Sequence, residues 1–96
     1  MYGTIGRFRA QPGKMEQLRE VMTSTYDGVK MPGHVFAHAY QPDGATDELW
    51  LAVGFTDEAA YRANAADPAQ HTRHMAVREL LVAEPEWTDG AIVYSM

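Results

Sequence analysis

Four histidines and five tyrosines give this 96-residue chain its side chains for proton transfer near neutral pH and for orienting a polar ligand. His74 shares a helical apolar stripe with Val77, Leu80 and Leu81. An imidazole beside a hydrophobic cleft can take a proton there while apolar walls keep water out. The same position also suits a half-buried histidine bonded to a carbonyl or water. His71, one turn earlier, reads as solvated. His34, Phe36, His38 and Tyr40 alternate with Val35, Ala37 and Ala39, so a regular strand puts the first set on one face. That face either lines a cleft or packs under helices with its polar tips at the edge. Tyr26 and Tyr61 can hydrogen-bond a phenolic ligand, or act as core residues with hydroxyls at the rim.

A metal site fails on geometry. His34 and His38 lie about 13 Å apart at the usual strand rise, too far for one ion. His71 and His74 are close enough on a helix, but no spacing identifies a third ligand. The absence of cysteine excludes thiolate nucleophiles, disulfides and iron-sulfur clusters together. Gly6 opens no phosphate-binding loop, and Ser24, Ser95 and the threonines lack a nucleophile elbow, so hydrolase and nucleotide chemistry have no support. No metal or cofactor is expected.

The elements that must position these residues follow from patterning. Tyr2 to Ala10 reads as a strand closed by Gln11-Pro12-Gly13, and Lys14 to Asp27 as a helix with Met15, Leu18, Val21, Met22 and Tyr26 at helical spacing. His34 to Gln41 and Glu48 to Phe55 form a hairpin around Pro42-Asp43-Gly44. Thr56 caps a helix ending near Asp67, and Pro68 opens another that runs to about Ala83. Trp87 to Gly90 reads as a turn and Ala91 to Ser95 as a short last strand. The order βαββαβ predicts an α+β, ferredoxin-like antiparallel sheet with helices on one face.

With 10.7 kDa and no linker or repeat, residues 1–96 are expected to form one domain. Hydrophobic residues at 46% exclude disorder, and a net charge of -5 opposes nucleic-acid binding. The longest apolar run, Leu49 to Phe55, is too short to span a bilayer, and Met1 to Pro12 lacks a signal-peptide pattern, so a cytoplasmic protein is expected. That run is apolar at every position, whereas a sheet with one wet face alternates apolar with polar. Helices can cover Leu49, Leu51, Val53 and Phe55, which leaves Trp50, Ala52 and Gly54 pointing the other way. A second copy of the sheet is the simplest cover, giving a homodimer through the sheet face; the alternative is one tryptophan tolerated at the surface.

The chain as a whole resembles the antibiotic biosynthesis monooxygenase-like group of dimeric α/β-barrel proteins. The resemblance rests on Ile5-Gly6-Arg7-Phe8 with Pro12-Gly13, on Met31-Pro32-Gly33-His34, on Glu48-Leu49-Trp50, and on Phe55-Thr56-Asp57-Glu58-Ala59-Ala60-Tyr61. It implies an active cleft between helices and sheet and, for several members, oxidation of quinol-like aromatics by O2 without a bound cofactor. Haem-degrading relatives use an Asn, a Trp and a His where this chain has Gly6, Asn64 and His74, so only the histidine matches. Antibiotic-pathway members use Asn, Trp and Tyr where this chain has Leu51, Phe55 and Tyr61.

The resemblance and the residues together imply a cofactor-independent monooxygenase acting on a small aromatic or quinol-like compound. His74 is the expected general base. Tyr61, Asn64 and His38 would orient polar groups, Tyr26 would hydrogen-bond the substrate, and Phe55 would form an apolar wall. A non-catalytic dimer that binds a small ligand or serves as an interaction module is the alternative, with haem degradation third.

Overall fold

In a computed structural model that describes residues 1–96, strand β1 (Tyr2–Arg9) buries Thr4, Gly6 and Phe8 and turns Ile5, Arg7 and Arg9 to the opposite face. Helix α1 (Met15–Tyr26) follows, then β2 (His34–Tyr40), β3 (Glu48–Phe55), α2 (Glu58–Ala66), α3 (Pro68–Arg78) and β4 (Glu86–Ala91). The strands form a four-stranded antiparallel sheet in the order β2-β3-β1-β4, so β3 lies between the two strands of the first βαβ unit. This is the ferredoxin-like α+β topology that the element order predicts.

Local chemistry explains the helix starts. Asp57 caps α2 by accepting the Ala60 amide at 2.8 Å, and Asp67 caps α3 by accepting the Ala69 amide at 2.9 Å, with Pro68 in the first turn. The cap of α2 is therefore Asp57, one residue beyond the expected Thr56. Helix α3 stops at Arg78, short of Ala83, because β1 captures the chain that follows. Gln11 donates to the Leu80 carbonyl at 2.9 Å, Val82 donates to the Arg9 carbonyl at 2.9 Å, and Ala10 bridges Leu81.

The last strand also differs from expectation. Trp87 to Gly90 is strand, and the strand ends at Ala91 because Ala91 pairs with Tyr2, where β1 begins. Beyond it only Ile92 is tied back, to the Met1 carbonyl at 2.9 Å. The Asp-Gly pair reads as a turn in isolation, but pairing with β1 overrides it.

The core gathers Phe8, Ala10, Leu18, Leu49, Val77 and Leu81, all at most 4% exposed, with Met15, Val21, Met22 and Leu80 packed around them. It occupies one end of the space between helices and sheet. Towards the other end, the sheet floor is built of small residues. Ala39, Leu51 and Gly6 lie side by side across three strands, as do Ala37, Val53 and Thr4, and that floor leaves room for a cavity.

Candidate active site

A cavity of about 660 Å³ lies between this floor and the helices, within the range of small-molecule sites. Of the six residues expected at a site, five line it: Tyr26 from the end of α1, Phe55 from the end of β3, Tyr61 and Asn64 from α2, and His74 from α3. His38 does not. A β-bulge between His34 and Phe36 breaks the alternation of β2, so Phe36, His38 and Tyr40 pair beside Gly54, Ala52 and Trp50 on the outer face. His38 stacks there on Phe36 at 5.5 Å, outside the cavity it was expected to line. The bulge sends His34 the other way. It lines the cavity and meets Phe55 edge-on at 5.5 Å, with its Nε2 buried and unpartnered.

At one end of the cavity Tyr61 donates its hydroxyl proton to Asp89 Oδ1 at 2.7 Å. Arg62 holds the other oxygen of Asp89 at 3.2 Å and lies across the rings of Tyr2 and Tyr61. Burial first, and then the bond to Asp89, pushes the Tyr61 hydroxyl above its ordinary value. The same bond is the leading cause holding the Asp89 carboxyl below the usual carboxylate range, with Arg62 adding to it.

At α3, His74 Nε2 faces Glu84 Oε2 at 3.3 Å, and Arg78 fixes the other oxygen of Glu84 at 2.9 Å. In the neutral tautomer that donates Nε2–H to Glu84, the unprotonated ring nitrogen is Nδ1. The bond to His74 first, and the bond to Arg78 second, hold the Glu84 carboxyl below its usual range. The Tyr26 hydroxyl accepts from Gln70 Nε2 at 2.8 Å, so its own proton is free to donate.

Trp87 packs edge-on against Phe8 at 5.4 Å and tilts towards His74 at 6.2 Å. Gly6 makes this possible, since a Cβ there would sit 2.6 Å from the Trp87 ring. The first-strand position that carries Asn in haem-degrading relatives is thus covered by an indole. Trp87, Asp89 and Glu84 were not singled out as site residues from sequence, whereas His34 lay on the strand face read as either lining a cleft or packing under helices. Trp87 and Asp89 fall in the stretch read as a turn, and a bulge leaves no mark in the alternation that places His34.

An α+β sheet with a cavity under its helices, lined by tyrosines and a carboxylate-paired histidine, defines a ferredoxin-like domain with a candidate site between helices and sheet. The antibiotic biosynthesis monooxygenase family model matches residues 1–76, and the chain belongs to that family. Among solved structures, a candidate antibiotic biosynthesis monooxygenase from Chloroflexus aurantiacus J-10-fl is 23% identical, with 99% of this chain and 95% of that chain covered and a TM-score of 0.80. A second, from Nitrosomonas europaea, is 16% identical, with 98% and 100% covered and a TM-score of 0.83. SnoaB, a cofactor-independent oxygenase from Streptomyces nogalater, is 18% identical, with 99% and 95% covered and a TM-score of 0.77. No curated protein matches the chain. These similarities establish a shared fold. No helix is long and apolar enough to cross a membrane.

Proposed function

We propose that this chain, as one domain over residues 1–96, is a cytoplasmic, homodimeric, cofactor-independent monooxygenase acting on a small hydroxylated aromatic in the cleft. The observation that carries the reading is the cavity itself, apolar in its walls yet flanked by the His74–Glu84 and Tyr61–Asp89 pairs. Family membership and the cofactor-independent activity in the name of SnoaB support the same class of chemistry.

In such a reaction the substrate supplies the electrons. His74 accepts a hydroxyl proton and leaves an electron-rich enolate or phenolate. Oxidation of a ring methylene to a carbonyl then balances with one O2: the carbon gives up two hydrogens and four electrons, one oxygen atom becomes the carbonyl, and the other leaves as water. Phe55, Leu51 and Val53 wall the site and limit water that would quench the reactive intermediate. Oxygen uptake with a panel of naphthols and anthrones, compared between the native protein and His74→Ala, tests the assignment. Uptake lost in the variant is expected; equal turnover by both removes His74 from the mechanism.

The homodimer rests on the outer sheet face. Ile5 and Tyr40 are 47% and 57% exposed there, beside half-buried Phe36, Trp50 and Ala52. That face also carries a polar cluster, in which Arg7 Nε bonds Glu48 at 2.8 Å and the Trp50 indole N–H donates to Glu48 at 2.7 Å. A twofold partner would cover both the apolar and the polar part.

One observation favours a second reading, a non-catalytic ligand-binding dimer. Leu51 and Phe55 occupy positions where antibiotic-pathway members are expected to carry Asn and Trp, which leaves that wall without a polar group. A ligand retained in native mass spectrometry, with no oxygen uptake on any substrate, would select this reading.

A further inference from the structure

The Tyr61–Asp89 pair has a direction, and the direction determines what the cleft accepts. Asp89 is locked as an acceptor because Arg62 Nη1 donates to one carboxylate oxygen at 3.2 Å while Tyr61 donates to the other at 2.7 Å. Arg62 is itself held by Glu58 at 3.5 Å and by the Tyr2 hydroxyl at 3.0 Å. A phenol bears a single proton, and that of Tyr61 is committed, so its oxygen offers only lone pairs.

We propose that Asp89 is a positioning residue that makes Tyr61 a hydrogen-bond acceptor, so that this end of the cleft selects aromatics bearing a free hydroxyl over their ketone or ether counterparts. The inference rests on the cleft being the ligand site, and it adds the polarity of one contact and the residue that sets it. Tyr61 and Asp89 both line the cavity, alongside Phe55, whose ring meets Tyr61 at 5.8 Å and provides an edge for an aromatic body. A substrate hydroxyl donating to Tyr61 would extend the chain to Asp89, and serial bonds of this kind polarise one another. Asp89 is not the base in this scheme. Its carboxyl is held below the usual range, so it does not retain a proton at neutral pH, and proton removal stays with His74.

Reversing the direction is feasible because Arg62 fixes which way an amide would point. In Asp89→Asn the side-chain carbonyl faces Arg62 and the NH2 faces Tyr61. Tyr61 then accepts from Asn and its own proton is released towards the cavity.

Calorimetric titration of the full chain with 2-naphthol and 2-methoxynaphthalene tests the proposal. The native protein should bind 2-naphthol about tenfold more tightly than the ether, as expected for one hydrogen bond formed or lost at a half-buried site. Asp89→Asn should erase or invert that ratio by strengthening the ether and weakening the naphthol. Tyr61→Phe should bring the ratio to about one while leaving the Asp89–Arg62 pair in place. A full naphthol preference in a folded Tyr61→Phe or Asp89→Asn variant overturns the proposal while the cleft stands. Failure of both probes to bind the native protein overturns the cleft as the ligand site, and the proposal with it.

Discussion

Replacing Gly6 by Ala tests whether Trp87 belongs to the cleft wall. A Cβ at position 6 would lie 2.6 Å from Trp87 Cζ3 and 2.8 Å from Phe8 Cε1, against an optimal carbon separation of about 3.5–4.0 Å. Phe8 is 2% exposed and locked among Leu18, Leu49 and Val77, so it has nowhere to go. Trp87 is 45% exposed and must swing outward, giving up its edge contact with Phe8. Overpacking of this kind costs about 1–3 kcal/mol. The lower unfolded-state entropy of Ala returns about 0.4–1 kcal/mol, leaving a net loss of up to about 2.6 kcal/mol. For a domain of this size each kcal/mol lowers Tm by roughly 4–8 °C. Thermal denaturation of Gly6→Ala, Trp87→Leu and the double variant separates the pairwise term, and the Gly6→Ala penalty should shrink in the Trp87→Leu background. An equal penalty in both backgrounds, or none in either, would refute the packing of the indole over Gly6.

Leu18→Ala, at a residue 0% exposed, should cost about 3–5 kcal/mol by chemical denaturation, because the hole lies at the centre of the core. Acid should destabilise the fold. Glu48, Glu84 and Asp89 are held below their ordinary values by Arg7, His74 and Tyr61 respectively, so their contribution is complete above the unfolded carboxylate range near pH 4 and fades as pH falls through their lowered values. Urea midpoints measured between pH 3 and pH 7 check the sign, which removal of all three carboxylates should flatten. Tyr61 works at the other limit: its hydroxyl is pushed up, so its contribution is complete below about pH 10 and is lost as pH rises through the raised value. Trp50→Glu should leave a folded monomer by light scattering, since it places a second carboxylate beside Glu48 on the sheet face. Ala37→Leu should fill the cavity, leaving Tm unchanged or higher while calorimetric binding of 2-naphthol disappears.

The sheet order and its helical cover were legible because their signals are local and repeated. Proline and glycine turns bound the first three strands, and apolar spacing marks α1. Phe55, Tyr26, Tyr61, Asn64 and His74 reach the cavity because each sits at a position where strand or helix periodicity already points inward. The misplaced last strand and the early end of α3 share one physical origin: pairing with β1, distant in sequence, overrides local propensity. Register with β1 makes Trp87 to Gly90 a strand and ends it at Ala91, although Ile92, Val93 and Tyr94 have the stronger strand propensity. The bulge of β2 is a register event too. It separates His34 from His38, leaving His34 at the cleft and His38 on the outer face, and no residue type in that stretch announces it.

The cavity exists because of what the sheet floor lacks. Leu49 is sealed by Leu18, Val77 and Leu81, yet Leu51 and Val53, on the same face of β3, remain half-buried. Their neighbours are Gly6 and Ala39 in one case and Thr4 and Ala37 in the other, side chains too small to fill the layer beneath helices set apart by the core. Gly6 is covered by Trp87, but larger apolar residues at Ala37 and Ala39 would extend the core, and at about 25 cal/mol per Å² of buried apolar surface they would stabilise the fold. The chain forgoes that stabilisation over one contiguous patch and rings it with Tyr26, Tyr61 and His74, each bonded to a polar partner that fixes its orientation. An unfilled layer bordered by oriented proton donors and acceptors is the arrangement a ligand site requires, and core packing alone gives no reason for it.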